Sequence, residues 1–110
     1  MAQRFDPGQL RHRIVLQEAT YAADSDGGFE TLWTDIATIW ASIKPAGADV
    51  QLRAAADEVD VSHTIIVRHS TLIKPNMRFR HGARAFIVLS VNDLDETGRY
   101  TSVTTREEAA

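Results

Sequence analysis

Between Val61 and Val91 the chain reads VSHTIIVRHSTLIKPNMRFRHGARAFIVLSV, and its apolar residues fall into three short runs separated by turn chemistry. Thr64-Ile65-Ile66-Val67-Arg68 is β-branched and suited to an extended backbone. Lys74-Pro75-Asn76 supplies a turn, because proline fixes one dihedral and asparagine tolerates a left-handed one. Met77-Arg78-Phe79-Arg80 alternates strictly, placing Arg78 and Arg80 on the face opposite Met77 and Phe79. After His81-Gly82 comes Ala85-Phe86-Ile87-Val88-Leu89-Ser90-Val91, the most apolar run and too short to span a membrane as a helix. The pattern predicts an antiparallel meander that forms the core.

The same alternation occurs upstream. Leu10, His12, Ile14 and Leu16 alternate with Arg11, Arg13, Val15 and Gln17, predicting a first strand with one buried face. Tyr21–Gly28 is polar, ends in Asp-Gly-Gly and predicts a long loop, with 20–28 as its widest extent. In Phe29–Pro45, Trp33, Ile36, Trp40 and Ile43 match helical spacing, whereas Ala37, Ile39, Ala41 and Ile43 alternate. The abundance of threonine, isoleucine and tryptophan decides for two strands, Phe29–Trp33 and Ile36–Lys44, broken at Thr34-Asp35 and anchored in the core by both tryptophans. Residues 46–58, rich in alanine, predict a short helical or loop insertion with a thin apolar face. Asn92–Gly98 is an acidic turn and Arg99–Thr105 a closing strand. Residues 1–9 are expected to be an N-terminal arm and 106–110 a frayed tail. The expected architecture is mainly β, a small antiparallel barrel or sandwich with one short helix before the central meander, in one domain of 110 residues.

Composition narrows the function classes. Cysteine is absent, so disulfides and thiolate metal sites are excluded. The formal charge of −3 argues against coating nucleic acid by bulk electrostatics. The opening MAQRFDPGQLRHR lacks the apolar stretch of a secretory signal. No phosphate loop, dinucleotide fingerprint or nucleophile elbow is present, and the four histidines lack metal-ligand spacing. His63 and His69 share a strand face and read as a solvated or packed pair. No enzyme, cofactor or metal site is expected. The local charge feature is Arg78, Arg80 and Arg84, which either contacts phosphate or keeps a sheet face soluble.

In order and spacing the chain resembles the head–tail joining proteins of long-tailed phages, also called head-closure or stopper proteins, and their gene transfer agent versions. The resemblance runs through Leu10-Arg11-His12-Arg13-Ile14-Val15-Leu16-Gln17, Asp26-Gly27-Gly28 with Trp33, and Trp40-Ala41-Ser42-Ile43. It continues through Thr64-Ile65-Ile66-Val67-Arg68-His69, Ile73, Met77-Arg78-Phe79 and Ala85-Phe86-Ile87-Val88. His69 stands where the family often has tyrosine, and Asp49 only approximates its acidic residue near the insertion. The resemblance implies a homo-oligomeric ring, a hexamer being favoured, in the neck of a virion or gene transfer agent particle assembled in the bacterial cytoplasm. A portal or adaptor ring would lie above and a tail terminator or tail-tube protein below. DNA would pass through without sequence-specific binding, and no membrane is involved. Tyr21, Asp24, Asp26 and Phe29 are then candidates for contact with a neighbouring subunit or ring. Asp49, Gln51, Arg53 and Asp57 are candidates for a channel-facing or intersubunit element. The alternative is an OB- or SH3-like nucleic-acid-binding barrel using Arg78, Arg80 and Trp40.

Overall fold

The computed structural model describes residues 5–46, 51–54, 57–96 and 98–108. Its strands are β1 (His12–Ala23), β2 (Phe29–Pro45), β3 (Gln51–Ala54), β4 (Asp57–Asp60), β5 (His63–Arg68), β6 (Arg78–His81), β7 (Arg84–Asp93) and β8 (Tyr100–Glu107). Six of them close into an antiparallel barrel in the order β1-β2-β5-β8-β7-β6, while β3 and β4 pair separately. Closure leaves the barrel without edges, and its bore is filled by side chains.

The interior follows the alternation expected for β1 and β6 and extends to one face of every other strand of the ring. Ile14 and Leu16 of β1, Ala41 of β2, Ile65 and Val67 of β5, Phe79 of β6, Phe86 and Val88 of β7 and Val103 of β8 point inward and are buried. Phe79 faces Phe86 across the β6–β7 pair, so two of the bulkiest core residues share one rung of the ladder. Thr105 is also fully buried, its hydroxyl donating to the His63 carbonyl at 3.0 Å. Arg80-His81-Gly82-Ala83 leads β6 into β7, and Gly82 adopts φ +62°. Glycine at the first central position of a two-residue hairpin turn is what a type II′ turn requires.

Three expectations about connectivity are corrected. The stretch 61–91 is not a meander, since β5 pairs with β2 and β8, whereas β6 pairs with β1 and β7. In the ring β5 and β6 lie on opposite sides, so residues 69–77 must cross an end of the barrel. The crossing adds Ile73 and Met77 to the core and places Asn76 at φ 73°. Its tail zips onto β7, with the Val88 amide donating to the Met77 carbonyl at 2.9 Å. Turn residues mark where a chain bends but not which strand it meets next.

The break expected at Thr34-Asp35 is a β-bulge inside one continuous strand. Leu16 pairs with Ala37 and Gln17 with Asp35, which leaves Ile36 as the extra residue. The bulge changes parity. Trp33 and Trp40 would otherwise face opposite ways, yet both lie on the outer surface, Trp33 half-buried and Trp40 exposed. Neither tryptophan anchors the core, because Ala37, Ile39, Ala41 and Ile43 hold the inward positions of β2.

The insertion at 46–58 contains no helix in its described part. Gln51–Ala54 pairs with Asp57–Asp60 as a two-stranded ribbon. Its ends are held together, with Pro45 opposite His63 and the Ala46 amide donating to the Ser62 carbonyl at 2.9 Å. A chain that must leave and return to adjacent points doubles back most simply as a hairpin, and an alanine-rich helix with a thin apolar face has nothing to dock on. At the termini, the Phe5 ring packs on Tyr100 at 4.9 Å and a 3-10 turn spans Pro7–Gln9. The expected frayed tail is in strand β8 through Glu107, and the Glu108 amide donates to the Ala85 carbonyl at 2.8 Å.

Candidate functional site: the hairpin arm and the outer barrel face

The long loop expected over 20–28 is also corrected: β1 extends to Ala23, and only Asp24–Gly28 turns. β1 pairs with β6 only over Val15–Gln17 and β2 with β5 only over Ala41–Pro45. Beyond Gln17 the two strands therefore pair solely with each other and form a ribbon that leaves the barrel. This arm makes the molecule elongated, 57 × 33 × 24 Å.

The tip is built by Asp24. Its carboxylate oxygen Oδ1 accepts from the Asp26 amide at 2.9 Å and the Gly28 amide at 2.8 Å, while its own amide donates to the Gly28 carbonyl. Gly27 sits at φ +84°, in the left-handed region that glycine enters without steric cost. Of the four residues proposed for neighbour contact, Tyr21 and Phe29 lie on one face of the ribbon, flanking the turn that carries Asp24 and Asp26. Register puts Ala19, Tyr21, Ala23, Phe29, Thr31 and Trp33 together on that face, continuous with the outside of the barrel. Phe29 and Tyr21 are 77% and 73% exposed, an unusual load of aromatic surface for water to cover.

The base of the arm is held by a polar cluster. Gln17, buried on the outer side, donates to Asp35 at 2.7 Å and accepts from the Arg78 Nε at 2.6 Å. The Arg78 guanidinium lies 4.1 Å over the Trp33 ring and reaches Glu108 at 3.6 Å. Arg84 is also engaged: it grips Glu107 with two hydrogen bonds, 2.8 and 3.2 Å, and stacks 4.9 Å over Phe86. The hydrogen bond from Arg84 holds the Glu107 carboxyl below its usual range, and Glu107 raises Arg84 in turn. Arg80 donates to the Gly82 carbonyl at 3.1 Å. Arg78 is thus half-buried and not on an open basic face, and the three arginines do not form one free stripe. Asp49 lies outside the described residues, as do the side chains of Gln51, Arg53 and Asp57, whose backbones form the β3–β4 ribbon.

A second surface was not singled out from the sequence. Pro7, Leu10, Trp40 and Arg68 line a hollow of about 290 Å³ on the outer barrel face, and Arg13 pairs beside Trp40 across the strands. The signal was present in the parity of Trp40 against Ala41, but it conflicts with the expectation that both tryptophans anchor the core. Partners for the basic strand residues were missed in the same way, since Glu107 and Glu108 fell in the stretch expected to fray. Among the described residues no three His, Cys, Asp or Glu side chains cluster to hold a metal ion. The His63 ring packs edge-on against Phe86 at 5.0 Å, and His69 lies just beyond the end of β5. No helix is long and apolar enough to cross a membrane among the described residues.

A closed barrel with a projecting arm and a second ribbon is a scaffold that presents surfaces, and comparison with known proteins agrees. The family profile described as "Phage head completion protein" matches residues 5–108. The chain belongs to the phage head completion family. Among solved structures, this head completion protein is similar to a chain of the "Virion of native gene transfer agent (GTA) particle". The two share 31% identity over 91% of this chain and 96% of that one, with a TM-score of 0.63. It also shares its fold with a protein of Shigella flexneri 2a solved in solution, at 21% identity, 96% and 98% coverage and a TM-score of 0.70. No curated protein matches the chain. Membership of this family makes the head completion protein a structural head–tail component of a phage-type virion.

Proposed function

We propose that the protein is the stopper of a phage or gene transfer agent neck: a ring, with six copies favoured, that closes the DNA channel after packaging and receives the tail. The observation that carries this reading is the combination of a family-wide match over residues 5–108 with a fold whose two excursions leave a closed, edge-free barrel. Such a barrel cannot grow by adding strands to its own edges, so contacts fall to the excursions. The arm carrying Tyr21, Asp24, Asp26 and Phe29 reaches a neighbour, and the insertion 46–58, to which Asp49, Gln51, Arg53 and Asp57 belong, faces the channel or the adjacent subunit. Portal or adaptor protein lies on one side and tail terminator or tail-tube protein on the other. Acidic groups lining the lumen repel phosphate, so DNA slides without adhering. Assembly takes place in the bacterial cytoplasm.

Particles produced without this chain test the proposal. Expected are DNA-packaged heads that lose their DNA and free tails that fail to attach; normal tailed particles would overturn it. Lumen lining is checked separately with Asp49→Lys/Asp57→Lys, which is expected to slow DNA release, an unchanged release rate counting against a channel position for that insertion.

A further inference from the structure

Among the described residues the arm has no surface of its own to rest on. Its exposed aromatic face and the Trp40 hollow are both on the outer side of the same β1–β2 ribbon, with about ten residues of continuous strand between Arg13 and Ala23. At about 3.3 Å per residue they stand roughly 33 Å apart. An extended ribbon cannot fold back over that span without breaking its ladder, so whatever covers the arm comes from another molecule.

Charge and shape say which. From residue 18 to residue 35 the arm carries Glu18, Asp24, Asp26, Glu30 and Asp35 and not one lysine or arginine. The hollow is basic and aromatic: Trp40, 56% exposed, lies between Arg13 and Arg68, with Pro7 and Leu10 as its apolar wall. One end of the chain is acidic with protruding aromatic rings; the other is basic with an apolar recess. We propose that the arm of one copy docks on the Trp40 hollow of the next, Phe29 seating beside Trp40 and the tip carboxylates of Asp24 and Asp26 meeting Arg13 and Arg68. An aromatic anchor in a recess ringed by opposed charges is the arrangement that concentrates binding energy and fixes register.

The two surfaces differ, so the contact is head-to-tail, and head-to-tail contacts close into rings when the rotation permits. The inference rests on the ring proposed above and identifies the interface that builds it. The oblong pair of surfaces also explains why an arm with so much exposed apolar area is tolerable: it is covered on assembly. Before assembly its acidic residues and the bulge at Ile36 oppose edge-to-edge pairing.

Because the chain contains no cysteine, the contact can be trapped directly. Particles assembled with Asp26→Cys/Arg68→Cys protein are oxidised and run under non-reducing conditions. A ladder of covalent oligomers extending beyond the dimer is expected. Bands ending at the dimer would overturn the proposal by showing reciprocal exchange, as would a particle-borne chain with no cross-link between copies; either would leave the head completion role intact. Charge reversal guards against a cysteine variant that fails to assemble. Asp26→Lys and Arg68→Glu are each expected to reduce incorporation into particles by about tenfold or more, and the two together in one chain to restore most of it. Single variants that assemble normally, or a double variant no better than the worse single, would overturn the docking. Wild-type particles lacking the chain would instead refute the neck role itself.

Discussion

At the scale of single residues, the barrel depends on a few side chains with no alternative place to go. Phe79 and Phe86 are fully buried and face each other. Phe79→Ala is expected to cost about 3–5 kcal/mol, read as a lower urea midpoint at unchanged slope. Gly82→Val forces a branched side chain to φ +62° and is expected to cost about 1–2 kcal/mol by the same measurement. The Arg84–Glu107 pair imposes a pH signature. The folded Glu107 carboxyl titrates below its ordinary value of 4.5, held there first by the hydrogen bond from Arg84. Its contribution is complete above that ordinary value and is lost as pH falls through the lower folded one, while Arg84 stays charged throughout. Glu107→Gln is therefore expected to lower stability slightly at neutral pH and to match the parent protein at low pH, which flattens the acid side of the profile. The effect is small because both groups are partly exposed and screened.

At the scale of elements, the arm is joined to the barrel through Gln17, Asp35, Arg78 and Trp33. Arg78→Met keeps the stacking bulk over Trp33 but strands the Gln17 carbonyl, and is expected to cost about 1–3 kcal/mol. Amide exchange should rise at residues 18–23 and 29–35 more than within the barrel; a uniform rise would mean that the cluster supports the whole fold and not the arm. How much of this could be read from the sequence depended on whether local pattern was enough. The inward faces of β1 and β6 were legible because period-two alternation is a local property. Pairing partners were not, because the crossing at 69–77 is determined by closure of the ring. Residues 20–28 of the arm read as a loop because Tyr21–Gly28 is polar and ends in Asp-Gly-Gly, so no buried side announces itself, whereas Phe29–Trp33 reads as the strand it is. A single extra residue, Ile36, put Trp33 and Trp40 on the same face, and nothing local distinguishes a bulge from a break.

At the scale of the molecule, the closed barrel separates stability from assembly. Replacing residues 18–35 with a two-residue Asn-Gly turn removes the arm while leaving every buried core side chain in place. The shortened protein is expected to unfold cooperatively at a similar urea midpoint and to be missing from particles. Loss of folding would show instead that arm and barrel are one cooperative unit. Candidate contact residues were legible as a group, Tyr21, Asp24, Asp26 and Phe29, since the structure does bring them to one tip. Their receptor surface was not, because Pro7, Leu10, Trp40 and Arg68 come from separate stretches that only the barrel brings together.

The unbroken course of β1 and β2 from tip to barrel has a mechanical corollary. Ladder hydrogen bonds run perpendicular to the strands, so tension applied along the arm loads the β1–β6 and β2–β5 bonds side by side, in shear, and does not unzip them one after another. A pull at the tip is thereby shared across the barrel wall, whereas a sideways tug would peel the ribbon open from Gly27. Single-molecule stretching along these two axes should give a high rupture force in the first direction and a low one in the second.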